Sequence, residues 1–401
     1  MNSDIKRLNP YPFARLRTLF EGVEPNSQLR HITLGIGEPT HAPHAEAVKA
    51  LADSLETIGR YPSIIGELSL RQAISDWACT RFGLTELRPT DQILPVSGTR
   101  EGLFSIAQAV CSSRQSSHVF APNPFYQIYE GAALMAGAEL VLLPCLASTA
   151  HQPDYRAVSD AQWSQCTMLY ICNPGNPSGG LLDAETLAYL INKAITFDFV
   201  IVADECYSEI YRDESAPPIG LLQACAQIGH HTYKHCLVFH SLSKRSNLPG
   251  LRSGFVAGDA GILSSYLQYR TYHGSAMPLH HQRASTVAWS DEQHVVANRV
   301  EYRDKFQSVL SVLQSHYTLQ HPEGGFYIWL PTPIDDEEFA LRLYRDYSLT
   351  VLPGTDLGRS VNGINPGKGY VRLALVAAHD DCIEAAHRIV ALTQSITTHD
   401  E

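Results

Sequence analysis

With 401 residues, 44% of them apolar and 18% charged, the chain holds material for a sizeable core and for more than one compact unit. Its formal net charge of −11 comes without a basic cluster, which argues against nucleic acid or an anionic membrane as a partner. The nine cysteines form no CxxC pair, so they read as free thiols in a reducing compartment, and no metal-binding pattern is found.

The first seven residues lead into no apolar stretch, so no signal peptide is expected, and no run reaches the length of a membrane span. A cytoplasmic protein is the expectation. Asn9-Pro10-Tyr11-Pro12 predicts an extended arm, because a residue before proline is pushed out of the helical region. Ile32 to Pro39 reads as a short strand ending in a turn. From about 43 to 82 the pattern is helical, with Ala45, Val48, Leu51 and Leu55 at helical spacing. From about 90 to 260, short apolar runs alternate with helical stretches. The runs are His118–Ala121, Glu139–Leu143, Met168–Ile171, Phe199–Ala203 and Cys236–Phe239, and Asp183 to Thr196 supplies one crossover helix. Such runs suit strands buried on both faces of a mainly parallel sheet, and the alternation predicts an α/β layered domain. A long helical region from about 285, with Val300, Phe306, Val309, Leu310 and Leu313, precedes strands at Gly325–Leu330 and Gly369–Leu375. This predicts a second, smaller α+β domain.

In such a sheet, ligands bind beyond the carboxyl ends of the strands, and four of these ends carry unusual polar residues. Ile201 to Tyr207 is an apolar strand ending in Asp204, with Tyr207 three positions on. An aspartate there can simply cap a helix; a buried one needs a cation, and a protonated pyridine nitrogen would serve. Phe239 to Lys244 ends a strand in Ser241 and Lys244, with Arg252 eight positions later. A lysine in a loop is ordinarily solvated, whereas one desolvated at a cleft can attack an aldehyde, with Ser241 and Arg252 suited to a phosphate ester. Asn173 to Gly180 sets Asn176 among prolines, and its amide can donate to a phenolate oxygen, although Pro and Gly alone also make a turn. Ser97-Gly98-Thr99-Arg100 opens a helix whose free N–H groups suit phosphate. Tyr126 can stack on a pyridine ring or fill a core. Tyr61 is a loop tyrosine. Arg372 reads as an arginine facing solvent on an edge strand or as a bidentate clamp for a carboxylate.

Together, Asn173-Pro-Gly-Asn176-Pro-Ser-Gly179, Asp204-x-x-Tyr207, Ser241-x-x-Lys244 and the Gly-x-Arg252 motif, with Arg372 near the C-terminus, resemble the fold type I pyridoxal-phosphate aminotransferases over about residues 30 to 380. The resemblance implies a large domain with a mainly parallel seven-stranded sheet flanked by helices, over 45–285. It implies a smaller α+β domain over 286–401 and an arm plus part of the small domain over 1–44. It further implies pyridoxal 5′-phosphate held by Lys244 as a Schiff base, with Lys244 also the proton carrier. Asp204 would pair with the pyridinium nitrogen, Asn176 and Tyr207 would bond the ring hydroxyl, and Tyr126 would stack on the ring. Gly98, Thr99, Ser241 and Arg252 would bind the phosphate; Arg100 is counted with them, although the family often has another side chain there. Gly37, Asn176 and Arg372 would bind small-molecule amino-acid and 2-oxo-acid substrates. Tyr61 would reach the phosphate of a neighbouring subunit, which implies a homodimer with shared active sites.

The arm Tyr11 to Arg17, Pro122 to Gly131, Asp204 to Tyr211 and His240 to Asn247 resemble the bacterial succinyldiaminopimelate aminotransferases. This implies a dicarboxylic substrate of diaminopimelate and lysine synthesis, with Arg245, Arg15 or Arg17 as candidates for its far carboxylate. Another aminotransferase, a carbon–sulfur β-lyase and a cofactor-sensing regulator are the alternatives.

Overall fold

The computed structural model describes residues 3–112 and 116–398. Met1 and Asn2 of the expected arm and residues 399–401 of the expected small domain lie outside the described residues. Twelve strands form among the described residues. In chain order they are β1 (Ile32–Thr33), β2 (Ile93–Val96), β3 (His118–Asn123), β4 (Glu139–Pro144), β5 (Cys166–Cys172), β6 (Val200–Asp204), β7 (Cys236–Ser241), β8 (Gly254–Gly258), β9 (Tyr327–Pro331), β10 (Leu349–Thr350), β11 (Leu352–Pro353) and β12 (Tyr370–Ala374).

Seven of them make one sheet in the order β2-β8-β7-β6-β5-β3-β4. β8 runs antiparallel to both neighbours, and the other six share one direction. Both faces are covered. Ile201 and Ala203 of β6 enter one core with Leu187, Leu190 and Trp163, while Val200 and Val202 enter another with Leu103, Ile106 and Tyr129. This explains why these strands read as continuous apolar runs rather than as alternating ones. The expected crossover helix forms at Ala184–Phe197 and is capped by Asp183, which accepts from the Thr186 N–H at 2.7 Å.

Two local expectations are refined. The helical pattern over 43–82 divides into helices Ala45–Ala52 and Leu68–Phe82, with a short turn at Leu55–Gly59 between them and Tyr61 in the loop that follows, as expected. Gly66, at φ 78°, turns the chain between that short turn and the second helix. The arm is extended only briefly, since a helix begins at Pro12 and runs to Leu19. Proline suits the first helical position because its missing N–H would be unpaired there anyway. Tyr11 before it is extended, with ψ 144°.

A third core combines both ends of the chain. β1 pairs in parallel with β10, and Ile32 and Leu34 pack with Phe306, Leu310, Leu343 and Ile389. β11, β12 and β9 form a three-stranded antiparallel sheet with β12 in the middle. No helix among the described residues is long and apolar enough to cross a membrane. Ile201 is fully buried at the centre of the large sheet. Ile201→Ala should therefore cost about 2–5 kcal/mol in urea unfolding. Ile195→Ala, on the exposed face of its helix, should stay within about 0.5 kcal/mol.

Candidate active site

Because six strands share a direction, the carboxyl ends of β2, β3, β5, β6 and β7 all meet one edge of the sheet. The start of antiparallel β8 meets it too, with Gly254 in register with Val96 and Ser241. A cleft of about 480 Å³ opens there. Its floor carries Asp204, Cys206 and Lys244, and Arg372 and Tyr327 come to it from the small sheet.

Asp204 is only 4% exposed. Its Oδ2 accepts from the Tyr129 hydroxyl at 2.8 Å and its Oδ1 from the Cys206 N–H at 3.3 Å. Burial pushes its carboxyl above the usual range, and among the described residues no lysine or arginine pairs with it. It is a carboxylate poised for a cation from outside the chain. Lys244 sits in the one-turn helix Leu242–Arg245 directly after β7, and Ser241 caps that turn by accepting from the Ser243 N–H at 3.1 Å. Its Nζ donates to the Gly37 carbonyl. Burial, helped by the Arg372 and Arg252 charges, pulls the amine down to about 8.

Beside them, Gly98 opens helix Thr99–Val110 at φ 82°. A Cβ on Gly98 would collide with the Arg252 guanidinium, so the close approach of Arg252 to this helix end requires glycine. Arg252 Nη1 is steadied by the Pro249 carbonyl at 2.9 Å. A Cβ on Gly254 would stand 3.1 Å from Thr99 Cγ2 and 3.5 Å from Ser241 Cα. Thr99, Ser241, Arg252 and the helix end thus gather at one side of the cleft.

Across the cleft, Arg372 is 4% exposed; its Nη1 donates to Asn176 Oδ1 and its Nη2 to the Gly35 carbonyl, both at 3.0 Å. The edge-strand alternative is corrected: β12 is the central strand of its sheet, and Arg372 faces inward over the Tyr327 ring at 4.4 Å. The Tyr207 and Tyr327 hydroxyls meet at 2.8 Å. Arg100 donates to the hydroxyls of Tyr126 at 2.9 Å and Tyr11 at 3.4 Å, so it joins the cleft wall to the arm.

Two of the expected site residues lie outside the cleft of this chain. Tyr61 is fully exposed and does not line the cleft of its own chain. Arg245, a candidate for a far carboxylate, turns away into the core. It is buried between Trp77 and Trp289 and is held by the Ala288 and Asp291 carbonyls and by Glu292. In a one-turn helix, neighbouring side chains point in different directions, so adjacency to Lys244 does not bring Arg245 to the cleft. Arg15 pairs with Asp356 at 2.8 Å. Among the described residues, His44, Asp291 and His294 have metal-ligand composition and bring donor atoms within 4.8 Å. The two rings stack at 4.0 Å and 13°, so an ion in the plane of one would lie outside the plane of the other.

The family model for aminotransferase class I and II matches residues 30–389. The chain belongs to this family. Among its relatives, an LL-diaminopimelate aminotransferase of Maridesulfovibrio salexigens is 30% identical over 391 residues, covering 96% of this chain and 97% of its own. The crystal structure of an aminotransferase from Neisseria meningitidis superposes at TM-score 0.94 with 45% identity, over 98% of this chain and 100% of that one. A chain from Thermus thermophilus described as a probable N-succinyldiaminopimelate aminotransferase shares the fold at TM-score 0.82 and 24% identity, over 94% and 99% of the two chains.

Membership in the class I and II aminotransferases implies pyridoxal phosphate as cofactor. The donor set fits it: a buried carboxylate lacking a cation, an amine lowered toward neutrality, and a hydroxyl-and-guanidinium corner at a helix end. Sequence reasoning missed Tyr129, which holds Asp204, and Tyr327, which supports Tyr207 and Arg372. Both lie in aromatic-rich segments that read as core, and only their hydroxyl partners distinguish them. A lysine amine at about 8 is neutral at lower pH than the usual 10.5. In cofactor-free protein, reductive methylation of Lys244 should therefore level off above about pH 8, while exposed lysines keep gaining reactivity; peptide mass spectrometry measures both.

Proposed function

We propose that this aminotransferase uses pyridoxal phosphate to move an amino group from glutamate to N-succinyl-2-amino-6-oxopimelate, giving N-succinyl-LL-2,6-diaminopimelate and 2-oxoglutarate. The carrying observation is the pairing, in one cleft, of the Lys244 amine and the uncompensated Asp204 carboxylate with an arginine, Arg372, that faces them. When bound, the cofactor supplies an aldehyde for amines and a ring that takes up the electrons left as Cα loses its proton.

In this reading Lys244 holds the cofactor covalently and, once free, moves the proton at the substrate Cα. Asp204 keeps the ring nitrogen protonated, and the Tyr129 hydroxyl keeps Asp204 aimed. Asn176 Oδ1 is engaged by Arg372, which leaves the Asn176 amide donors, with the Tyr207 hydroxyl, for the ring hydroxyl. Tyr126 covers the ring face. Gly98, Thr99, Ser241 and Arg252 hold the phosphate, with Arg100 beside them. Arg372 and the Gly37 segment hold the substrate α-carboxylate, and Arg372 exchanges neutral acceptors for a charged one. Tyr61, exposed on its own chain, serves the phosphate of a second subunit in a homodimer. With Arg245 in the core, Arg15 on the arm is the remaining candidate for the far carboxylate, together with exposed Arg17.

A second reading is favoured by the Maridesulfovibrio salexigens relative, whose name gives LL-diaminopimelate as its substrate. It would place the unsuccinylated compound in this cleft. Assaying glutamate with the succinylated keto acid, oxaloacetate and pyruvate, and LL-diaminopimelate with 2-oxoglutarate, separates the two. The first reading expects the succinylated acid to be the best acceptor; a better rate with free diaminopimelate replaces it by the second, and a better rate with oxaloacetate or pyruvate removes both. Cystathionine should release little pyruvate, unlike the case of a β-lyase, and sustained turnover would exclude a cofactor sensor.

Wild-type protein should absorb visible light in a band that borohydride abolishes. Lys244→Ala should lose this response and lower turnover by on the order of a hundredfold to ten-thousandfold. Colourless, cofactor-free and active protein would contradict the reading. Tyr61→Phe should speed cofactor loss on dialysis without altering the cofactor-free fold, and a monomer with full activity by light scattering would contradict the shared site.

A further inference from the structure

Helix Gln293–Leu313 carries an apolar face into the small core, but a second stripe along it is polar: His294, Asn298, Glu301 and Lys305, at helical spacing. The stripe faces two segments that the cleft depends on. One is the turn 244–247. His294 Nε2 meets Ser246 Oγ at 2.8 Å, Asn298 Nδ2 donates to the Lys244 carbonyl at 3.4 Å, and Asn247 Nδ2 donates to Asn298 Oδ1 at 3.1 Å. The other is the loop 35–42, whose Gly35 and Gly37 carbonyls receive Arg372 and Lys244. His41 joins the two. Its Nδ1 lies 2.7 Å from Asn298 Oδ1 and its Nε2 lies 2.6 Å from Lys305 Nζ. Lys305 also donates to the Ala377 carbonyl at 2.6 Å and the Leu375 carbonyl at 3.4 Å, just beyond β12.

The directions of these bonds follow from the donors. An ammonium has only protons to give, so His41 Nε2 accepts and its proton is on Nδ1, where it is given to Asn298 Oδ1. The Asn298 amide then donates to the Lys244 carbonyl. One chain of hydrogen bonds therefore runs from Lys305 through His41 and Asn298 to the backbone of the reactive lysine. A second proton on His41 would set two donors, both charged, against each other at Nε2, with only the largely solvent-exposed Glu301 carboxylate near enough to accept. The groups facing His41 are Lys305, Asn298, the Tyr302 ring at 4.5 Å and Glu301, whose Oε2 is 3.5 Å away but mostly in solvent. Burial, with the Lys305 charge, holds the His41 imidazole below its ordinary value, against the pull of Asn298 and Glu301. The unfolded chain thus binds this proton more tightly, and the stability that neutral His41 contributes is lost as pH falls below about 6.5.

We propose that His41 is a positioning residue. In its neutral form it locks the loop that holds Arg372 and Lys244 to the turn that carries Lys244, and its protonation releases that lock. This rests on the reading of Lys244 as the cofactor-bearing amine, and the borohydride-sensitive visible band of each variant reports on that reading separately. The test is the pH dependence of KM and kcat for glutamate in wild-type holoenzyme, His41→Gln and His41→Leu. A glutamine can accept from Lys305 and donate to Asn298 but does not titrate. His41→Leu should raise KM about tenfold at about pH 8, with kcat within about threefold, because it loosens carboxylate binding rather than proton transfer. His41→Gln should keep KM within about threefold of wild type at that pH and lack the rise in KM that wild type shows at more acid pH, where the depressed His41 of the folded enzyme gains its proton. The proposal is overturned by an equal acid rise in wild type and His41→Gln, by no acid rise in wild type, by a wild-type KM in His41→Leu, or by a glutamine variant as impaired as the leucine one. Should thermal melts show His41→Leu unfolded, the comparison of wild type with His41→Gln decides alone.

Discussion

A carboxylate that has been taken out of water needs a positive charge, and the cleft is organised around the one at Asp204. The residue sits at the end of a strand buried on both faces, with a tyrosine hydroxyl, a backbone N–H and the Cys206 thiol as hydrogen-bond partners. These donors aim the carboxylate and do not neutralise it. The strands on either side of β6 end at the same level, so one neighbour delivers the Asn173 to Gly180 loop and the other delivers Ser241 and Lys244. Parallel alignment thus turns separate strand ends into one set of groups.

The electrostatics of the cleft run against those of the whole chain. The protein carries a net charge of −11, yet the walls of this cleft present Arg100, Arg252, Arg372 and Lys244. Such a pocket favours substrates and cofactors with several negative groups. It also lowers the amine that must react, since burial and two nearby guanidiniums both disfavour the ammonium form. A single arrangement therefore binds anions and prepares a nucleophile.

The cores of the large sheet and of the small domain meet at this site, where polar contacts join them beside an apolar cluster of Tyr207, Ile210, Tyr302, Phe326 and Tyr327. Arg372 reaches from β12 to Asn176 and Gly35, and the stripe on helix Gln293–Leu313 reaches to the lysine turn and the loop 35–42. Directional bonds of this kind fix distances between bodies more narrowly than a greasy interface does, and they respond to protonation, which apolar contacts do not.

Much was legible in the sequence because its period and its punctuation are local. Five apolar runs named five strands of the large sheet, and the ends of three of them carried Asn176, Asp204 and Lys244 in an order that resembles one family. β2 and β8 were not visible in that way: one contains a proline, and the other is short and bounded by glycines. The helix at Pro12 was not legible because proline dominates the segment, whereas the loop around Tyr61 was. Other matters depended on three dimensions. That Arg372 points inward from a central strand, that Arg245 turns between two tryptophans away from its neighbour Lys244, and that Tyr129 supports Asp204 are facts about direction. The chain by itself determined which residues stand at strand ends, because alternation and apolar runs are written in neighbouring positions. Only the tertiary structure decided which of those side chains face one another, because contacts between residues as far apart as Asn176 and Arg372 are set by the packing of two cores and leave no local pattern.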